Sequence, residues 1–283
     1  MTDQMKYFRL VVVICLALLM VFPSMAEAKK KPRKKTGPYQ VSAASALLYD
    51  ESGWNKYYAR AVDRKIFPAS TTKVMTALLV LEHLDLDTVV VIGRNATTVL
   101  PSKVDLKEGE KYHVRDLLYA ALLNSANDAA AALAEAVAGS QDKFVEMMNA
   151  RALQLGAKNT LFANPHGLPS SSAQYSTAYD MFLIFRAALK KDFFREAIKI
   201  RTMTVESVDG RKIALKSHNK SLFKKWQQSV YGKTGYTQAA QACFIGVVNK
   251  GKQDLIVAVF GCPGSTRWDD VKYIIEHYGG VAL

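Results

Sequence analysis

The sequence predicts an α+β fold: an antiparallel sheet flanked by helices, with an all-helical lobe inserted. Three observations carry this. Apolar segments of strand character lie near the N-terminus, at 43–50 and 54–60. A long middle stretch, from about 70 to 190, has helical periodicity. From residue 200 onward the pattern turns to short β-branched or alternating runs. Strands at both ends with helices between them build most economically into one sheet carrying a helical insertion. The chain has 283 residues, 49% of them apolar. That suffices for a sizeable core, as one large domain or two small ones.

The N-terminus lies outside that fold. Lys6 and Arg9 precede an uncharged apolar run from Leu10 to Phe22, and Ala26-Glu27-Ala28 closes the segment. This is the pattern of a secretory signal peptide over 1–28, cut after Ala28 or Ala26. The run is short for a membrane span, so a retained anchor is the weaker reading. Cys15 follows Val-Val-Ile and lacks the small residue that a lipid-attachment signal needs. Residues 29–38 then form a basic linker, with six cations among the seven residues from Lys29 to Lys35.

The expected domain runs from Tyr39 to Leu283. Glu51-Ser52-Gly53 marks a hairpin between the first two strands. Pro68 suits a helix entrance, and the helix from Ser70 to His83 is apolar nearly all round, so it should be buried centrally. Helices are expected at 114–123, 128–138, 141–155 and 177–190, with a turn at Asn164-Pro165-His166-Gly167. Strands are expected at 201–208, 211–217, 229–237, 241–249 and 253–261, as a meander closed by a helix from Arg267 to Tyr278. Asp209-Gly210 and Asn249-Lys250-Gly251 are hairpin turns within it. There is no internal repeat.

Net charge is +13, and removal of 1–28 would not change it, because that segment holds two positive and two negative charges. A basic exported chain is drawn to anionic polymers and membrane surfaces, here an anionic cell envelope. No nucleic-acid recognition motif is present. Only Cys243 and Cys262 lie beyond the leader. Both fall in apolar strand-like runs, where buried free thiols and a disulfide are both open readings.

Three motifs carry chemistry: Ser70-Thr71-Thr72-Lys73, Ser125-Ala126-Asn127 and Lys233-Thr234-Gly235. Ser-x-x-Lys alone is background, since it recurs at Ser140, Ser217 and Ser221, and Ser217-His218-Asn219 is a second Ser-x-Asn. Ser70 stands out because it opens a buried helix and the other two motifs follow in order. Three positions apart on a helix, Ser70 and Lys73 share one face. Lysine can serve as base to a serine if its pKa falls, which burial and a neighbouring cation such as Lys233 would cause. The Ser70 backbone N–H at the helix start is a candidate oxyanion donor. Ser125 could relay a proton, and Asn127 could hold Lys73 or the substrate backbone; both could equally cap a helix. Gly235 would let a peptide approach the strand closely and add to it antiparallel. Lys233 and Thr234 would hold a carboxylate, and the Tyr236 N–H would be the second oxyanion donor. No Gly-x-Ser-x-Gly elbow, zinc motif or phosphate loop occurs, so neither a metal nor a cofactor is expected.

These motifs resemble those of the D-alanyl-D-alanine carboxypeptidases, the low-molecular-mass penicillin-binding proteins. The resemblance extends to Pro68 through Ala77, Asn124 through Ala130, Asn164 through Leu168, Ser176 through Asp180 and Lys233 through Thr237, within roughly 40–280. It implies a β-lactamase/transpeptidase-like α/β fold, an acylated Ser70 with Lys73 as its base, and Ser125 and Asn127 in the proton network. Lys233, Thr234 and Arg267 would bind a substrate carboxylate. Peptidoglycan stem peptides would be the substrates and β-lactams covalent inhibitors. Where many relatives have Ala-Gly, this chain has Ala240-Gln241. The resemblance also leads us to expect no C-terminal β-rich domain and no tethering helix. D,D-endopeptidases, which cut crosslinks, are among the shorter relatives. A β-lactamase would need a deacylating glutamate that the motifs do not supply. A non-catalytic wall-binding protein would have no need of Lys73 behind Ser70.

Overall fold

The computed structural model describes residues 39–283. The expected signal peptide and the basic linker lie outside the described residues. Gln40–Leu283 form one compact unit.

The main sheet has five antiparallel strands in the order β2-β1-β9-β8-β7. They are β1 (Ser45–Asp50), β2 (Lys56–Arg60), β7 (Tyr231–Thr237), β8 (Gln241–Lys250) and β9 (Gln253–Cys262). β1 pairs β9 in register from Ser45↔Phe260 to Asp50↔Leu255, so the two chain ends close one sheet. β1, β8 and β9 are buried on both faces, which is why they read as near-continuous apolar runs. β7 is an edge strand.

A 3-10 turn, Ala69–Thr72, leads into α1 (Lys73–His83). Every residue of α1 from Lys73 to Val80 is buried. It packs against α3 (Val114–Leu123), α4 (Asn127–Ala138), α5 (Gln141–Gln154) and α6 (Ala178–Leu189). Burial of each large side chain, such as Met75 or Leu78, contributes about 1.5–3 kcal/mol. On the other face of the sheet, α8 (Arg267–Tyr273) continues into a π-helical turn, Ile274–Tyr278. It covers a second cluster that includes Phe244, Val257 and Trp268.

Three features depart from expectation. Strands β5 (Thr202–Glu206) and β6 (Lys212–Lys216) form a separate ribbon and do not join the meander. Each buries only its fourth residue, Val205 and Leu215, so the ribbon has one thin apolar stripe and lies against α3. A second ribbon, β3 (Val89–Val91) with β4 (Lys111–His113), and the short helices α2 (Arg94–Thr98) and α7 (Asp192–Ala197) were not anticipated. Their runs are too short for periodicity to register. Finally, the last helix changes from α to π hydrogen bonding at Ile274.

Cys243 and Cys262 are both free and buried. They belong to the two different apolar clusters, one on each face of the sheet. Burial pushes both thiols up, Cys243 to about 11.

Candidate active site

Ser70 lies on the 3-10 turn and Lys73 is the first residue of α1. Ala69, beside the serine, adopts φ +48°. The turn is clamped from two sides. Gly167, at φ +84°, packs so closely that a Cβ there would lie 1.9 Å from the Ala69 carbonyl oxygen. Gly235 of β7 packs from the other side, and a Cβ there would lie 3.1 Å from the Ser70 nitrogen. Glycine at both positions is what lets two backbones meet at the nucleophile.

Lys73 is fully buried. Its Nζ donates to Asn127 Oδ1 at 2.6 Å and to the His166 carbonyl at 2.9 Å, and lies 3.3 Å from Ser70 Oγ. Burial holds its pKa well below the ordinary lysine value; the charge of Lys233 adds to this and Asp128 opposes it. A neutral amine has two N–H groups and one lone pair. With both N–H groups engaged by Asn127 and His166, the lone pair is left for the Ser70 hydroxyl. The Asn127 amide is held in the matching sense, since its Nδ2 donates to the Leu100 carbonyl at 2.9 Å.

Ser125 occupies the break between α3 and α4 at φ +57°, a left-handed conformation uncommon for serine. Lys233 Nζ donates to Ser125 Oγ at 2.9 Å and to the Thr234 carbonyl at 3.2 Å. Burial lowers Lys233 to about 7, with Arg267 adding to the shift. Arg267 donates to the carbonyls of Gly235 (3.1 Å) and Cys243 (2.9 Å), while its buried Nε has no partner. Burial lowers its pKa as well.

A cleft of about 670 Å³ opens over these groups. Ser70, Ser125, Asn127, Thr234, Gly235, Tyr236 and Arg267 all line it, with Lys73 and Lys233 buried at its floor. Tyr236 is a rim residue, 64% exposed. The rival serines are placed otherwise. Ser140 caps α5 by accepting from the Lys143 N–H, and Ser221 donates to the Val230 carbonyl. Ser217 lines the cleft wall, but its Oγ accepts from the Asn219 N–H.

Sequence reasoning missed several groups. His166 contributes its carbonyl to Lys73, and its ring, depressed to about 3 by burial and by Lys73, stays neutral. Asn124 accepts from the Lys216 N–H and so joins the Ser125 turn to the β5–β6 ribbon. That ribbon brings Lys216, His218 and Lys220 into the cleft wall. Asp128 accepts from the N–H groups of Val104 and Leu106, fixing the loop beside the cleft.

A serine paired with a desolvated lysine, under an edge strand that carries a second lysine, is a candidate active-serine site of the penicillin-recognising class. Comparison with known proteins gives the family. The profile of the D-alanyl-D-alanine carboxypeptidase family matches residues 29–264, and the chain belongs to that family. It is 37% identical over 215 residues to a D-alanyl-D-alanine carboxypeptidase of Mycobacterium tuberculosis, covering 74% of this chain and 72% of the relative. It is 33% identical over 250 residues to one of Bacillus subtilis, covering 86% of this chain but 63% of the relative's length. A D-alanyl-D-alanine endopeptidase of Pseudomonas aeruginosa is 31% identical, with 86% and 81% covered. Among solved structures, a Streptomyces DD-transpeptidase superposes with TM-score 0.80 at 28% identity, covering 87% of this chain and all of that one. The fold is the transpeptidase-like α/β fold.

Proposed function

We propose that this protein is an exported serine D,D-carboxypeptidase that removes the terminal D-alanine from peptidoglycan stem peptides. The observation that carries the reading is the Lys73 amine, whose two donor directions are taken by Asn127 and His166 while its third faces Ser70. The names of the relatives agree with it.

In this reading the terminal carboxylate sits against Lys233, Thr234 and Arg267. Lys233 and Arg267 hydrogen-bond neutral oxygens and have no acidic partner within ion-pair distance among the described residues, which leaves the floor of the cleft without a carboxylate of its own. Ser70 Oγ attacks the penultimate carbonyl and its proton passes to Lys73. The backbone N–H groups of Ser70 and Tyr236 stabilise the oxyanion. As the peptide bond breaks, Ser125, held by Lys233, gives its proton to the departing amine of D-alanine and is reprotonated from Lys73, which returns to the neutral amine. Water then hydrolyses the acyl-Ser70 ester. β-Lactams enter the same path and acylate Ser70. No acidic residue lines the cleft among the described residues, so no carboxylate is placed to activate water against the penicilloyl ester. That favours a long-lived adduct over β-lactamase turnover.

Cleavage of D,D-crosslinks is the second reading, favoured by the similarity to the Pseudomonas endopeptidase. Both readings place the protein in the anionic cell envelope, with neither a nucleic-acid partner nor a metal in the chemistry.

Intact-mass spectrometry with benzylpenicillin tests the shared step. One adduct on Ser70, absent in Ser70→Ala, is the expected result. Folded Ser70→Ala that still releases D-alanine at the wild-type rate would refute the assignment. Release of D-alanine from monomeric pentapeptide, measured against cleavage of crosslinked dimers, separates the two readings.

A further inference from the structure

The cleft carries more positive charge than one terminal carboxylate can use. Lys216 ends β6, and Lys220 opens the 3-10 turn Lys220–Phe223. Both line the cavity that holds Ser70. Lys216 Nζ lies 5.5 Å from the centroid of the Phe223 ring, which lines the same wall. Three described lysines meet acids, Lys199 with Glu196, Lys212 with Glu206 and Lys272 with Glu276, and the rest do not, so it is the place of Lys216 and Lys220 on the cleft wall that sets them apart. Among the described residues no carboxylate lies within 4 Å of Lys216 or Lys220, and none lines the cleft. His218, between them in sequence, is depressed to about 4 by burial and by the neighbouring cations, so it adds no charge at neutral pH.

Arg267 and the buried Lys233 can take the terminal carboxylate at the floor. Lys216 and Lys220 remain on the wall with nothing to neutralise them. Like charges facing one cavity repel until an anion enters. We infer that Lys216 and Lys220 form a second anion subsite, which selects peptides that bear a free carboxylate in addition to the terminal one. In a stem peptide the free α-carboxyl of the γ-linked glutamyl residue has this chemistry, and amidation removes it. The inference rests on the reading of the cleft as a stem-peptide site and names the form of peptide preferred.

Two synthetic pentapeptides test it: L-Ala-γ-D-Glu-L-Lys-D-Ala-D-Ala and the same peptide with the glutamyl α-carboxyl amidated. Affinity is read by calorimetry on Ser70→Ala protein, and turnover by D-alanine release from the wild type. The acid should bind roughly tenfold more tightly than the amide at low salt, with the gap narrowing as ionic strength rises. In turnover the gap should appear in KM, not in kcat. Adding Lys216→Gln and Lys220→Gln should bring the two affinities to within about twofold, and Lys216→Glu should favour the amide. Equal affinities for the two peptides, or a preference that survives the double substitution, would overturn the subsite. A preference in binding without any release of D-alanine would count against the proposed reaction and leave the subsite standing.

Discussion

Cations at two places in this molecule are treated in opposite ways. At the far end of the sheet, Arg195 bridges Glu51 at 2.9 Å and Asp254 at 2.6 Å, tying α7 to the β1 and β9 ends. Each charge there is answered by another, and the pairs hold elements together. At the cleft, Lys73, Lys233 and Arg267 are buried with hydrogen bonds to neutral oxygens, and burial lowers the pKa of all three. The contrast teaches where stability has been given up. A cation with an acidic partner fixes the fold, whereas a buried basic group without one is pushed toward its neutral form and held ready for a reacting group.

The sharpest break of the contrast is Lys73→Met. It keeps the apolar bulk of α1 and removes the proposed base. Acylation by benzylpenicillin should fall by about 10²–10⁴-fold, the usual contribution of a general base. Stopped-flow or quenched mass spectrometry reads the rate. A variant that acylates within threefold of wild type would remove Lys73 from the mechanism.

A second test concerns pH and stability. Lys73 and Lys233 have folded-state pKa values below that of an unfolded lysine. Between the folded and unfolded values the unfolded chain binds more protons, so stability rises with pH. With Lys233 at about 7 in the fold, unfolding free energy should rise from pH 7 to pH 9 by about 2 kcal/mol. His166 and His218, depressed to about 3 and about 4, act in the same sense in the acidic range. Urea melts at several pH values would show the slope, which Lys233→Met should flatten. A flat wild-type profile would mean that the buried lysines are not destabilised in the fold.

The smallest effect belongs to the partnered cation. Arg195→Ala should cost about 1 kcal/mol, because the bridges are partly exposed. Acylation of Ser70 should be unchanged, since Arg195 lies at the opposite end of the sheet. A rate change beyond twofold would join the two regions that the contrast separates.

Much of this arrangement was legible as local pattern. The buried helix behind Ser70 and the hairpin turns have short-range signatures in apolar runs, glycine and proline, while the closure of β1 on β9 follows from the economy of one sheet built from strands at both ends of the chain. The assignment of β5 and β6 to the main sheet failed because strand pattern reports pairing within a hairpin, not which sheet the hairpin joins. His166 looked like a turn residue, and it is one. Its contribution to Lys73 comes through a carbonyl 93 positions away, and a backbone oxygen has no side-chain signature. Lys216 and Lys220 carry no local pattern that marks them, since it is the placing of the ribbon that sets them against the cleft.

Ser125 bears on how such a site drifts. Its backbone sits at φ +57°, where glycine or asparagine would be more comfortable. A random change to glycine would relieve the backbone while deleting the hydroxyl that Lys233 holds, so the strain released and the buried donor left unpaired act on stability in opposite senses. Quality control in the cell, which removes proteins that unfold, would see little of the loss. Only the reaction itself keeps a serine there. A chain that lost this work would therefore be expected to survive first as a folded binder, with its defect written at one residue and only faintly in a melting curve.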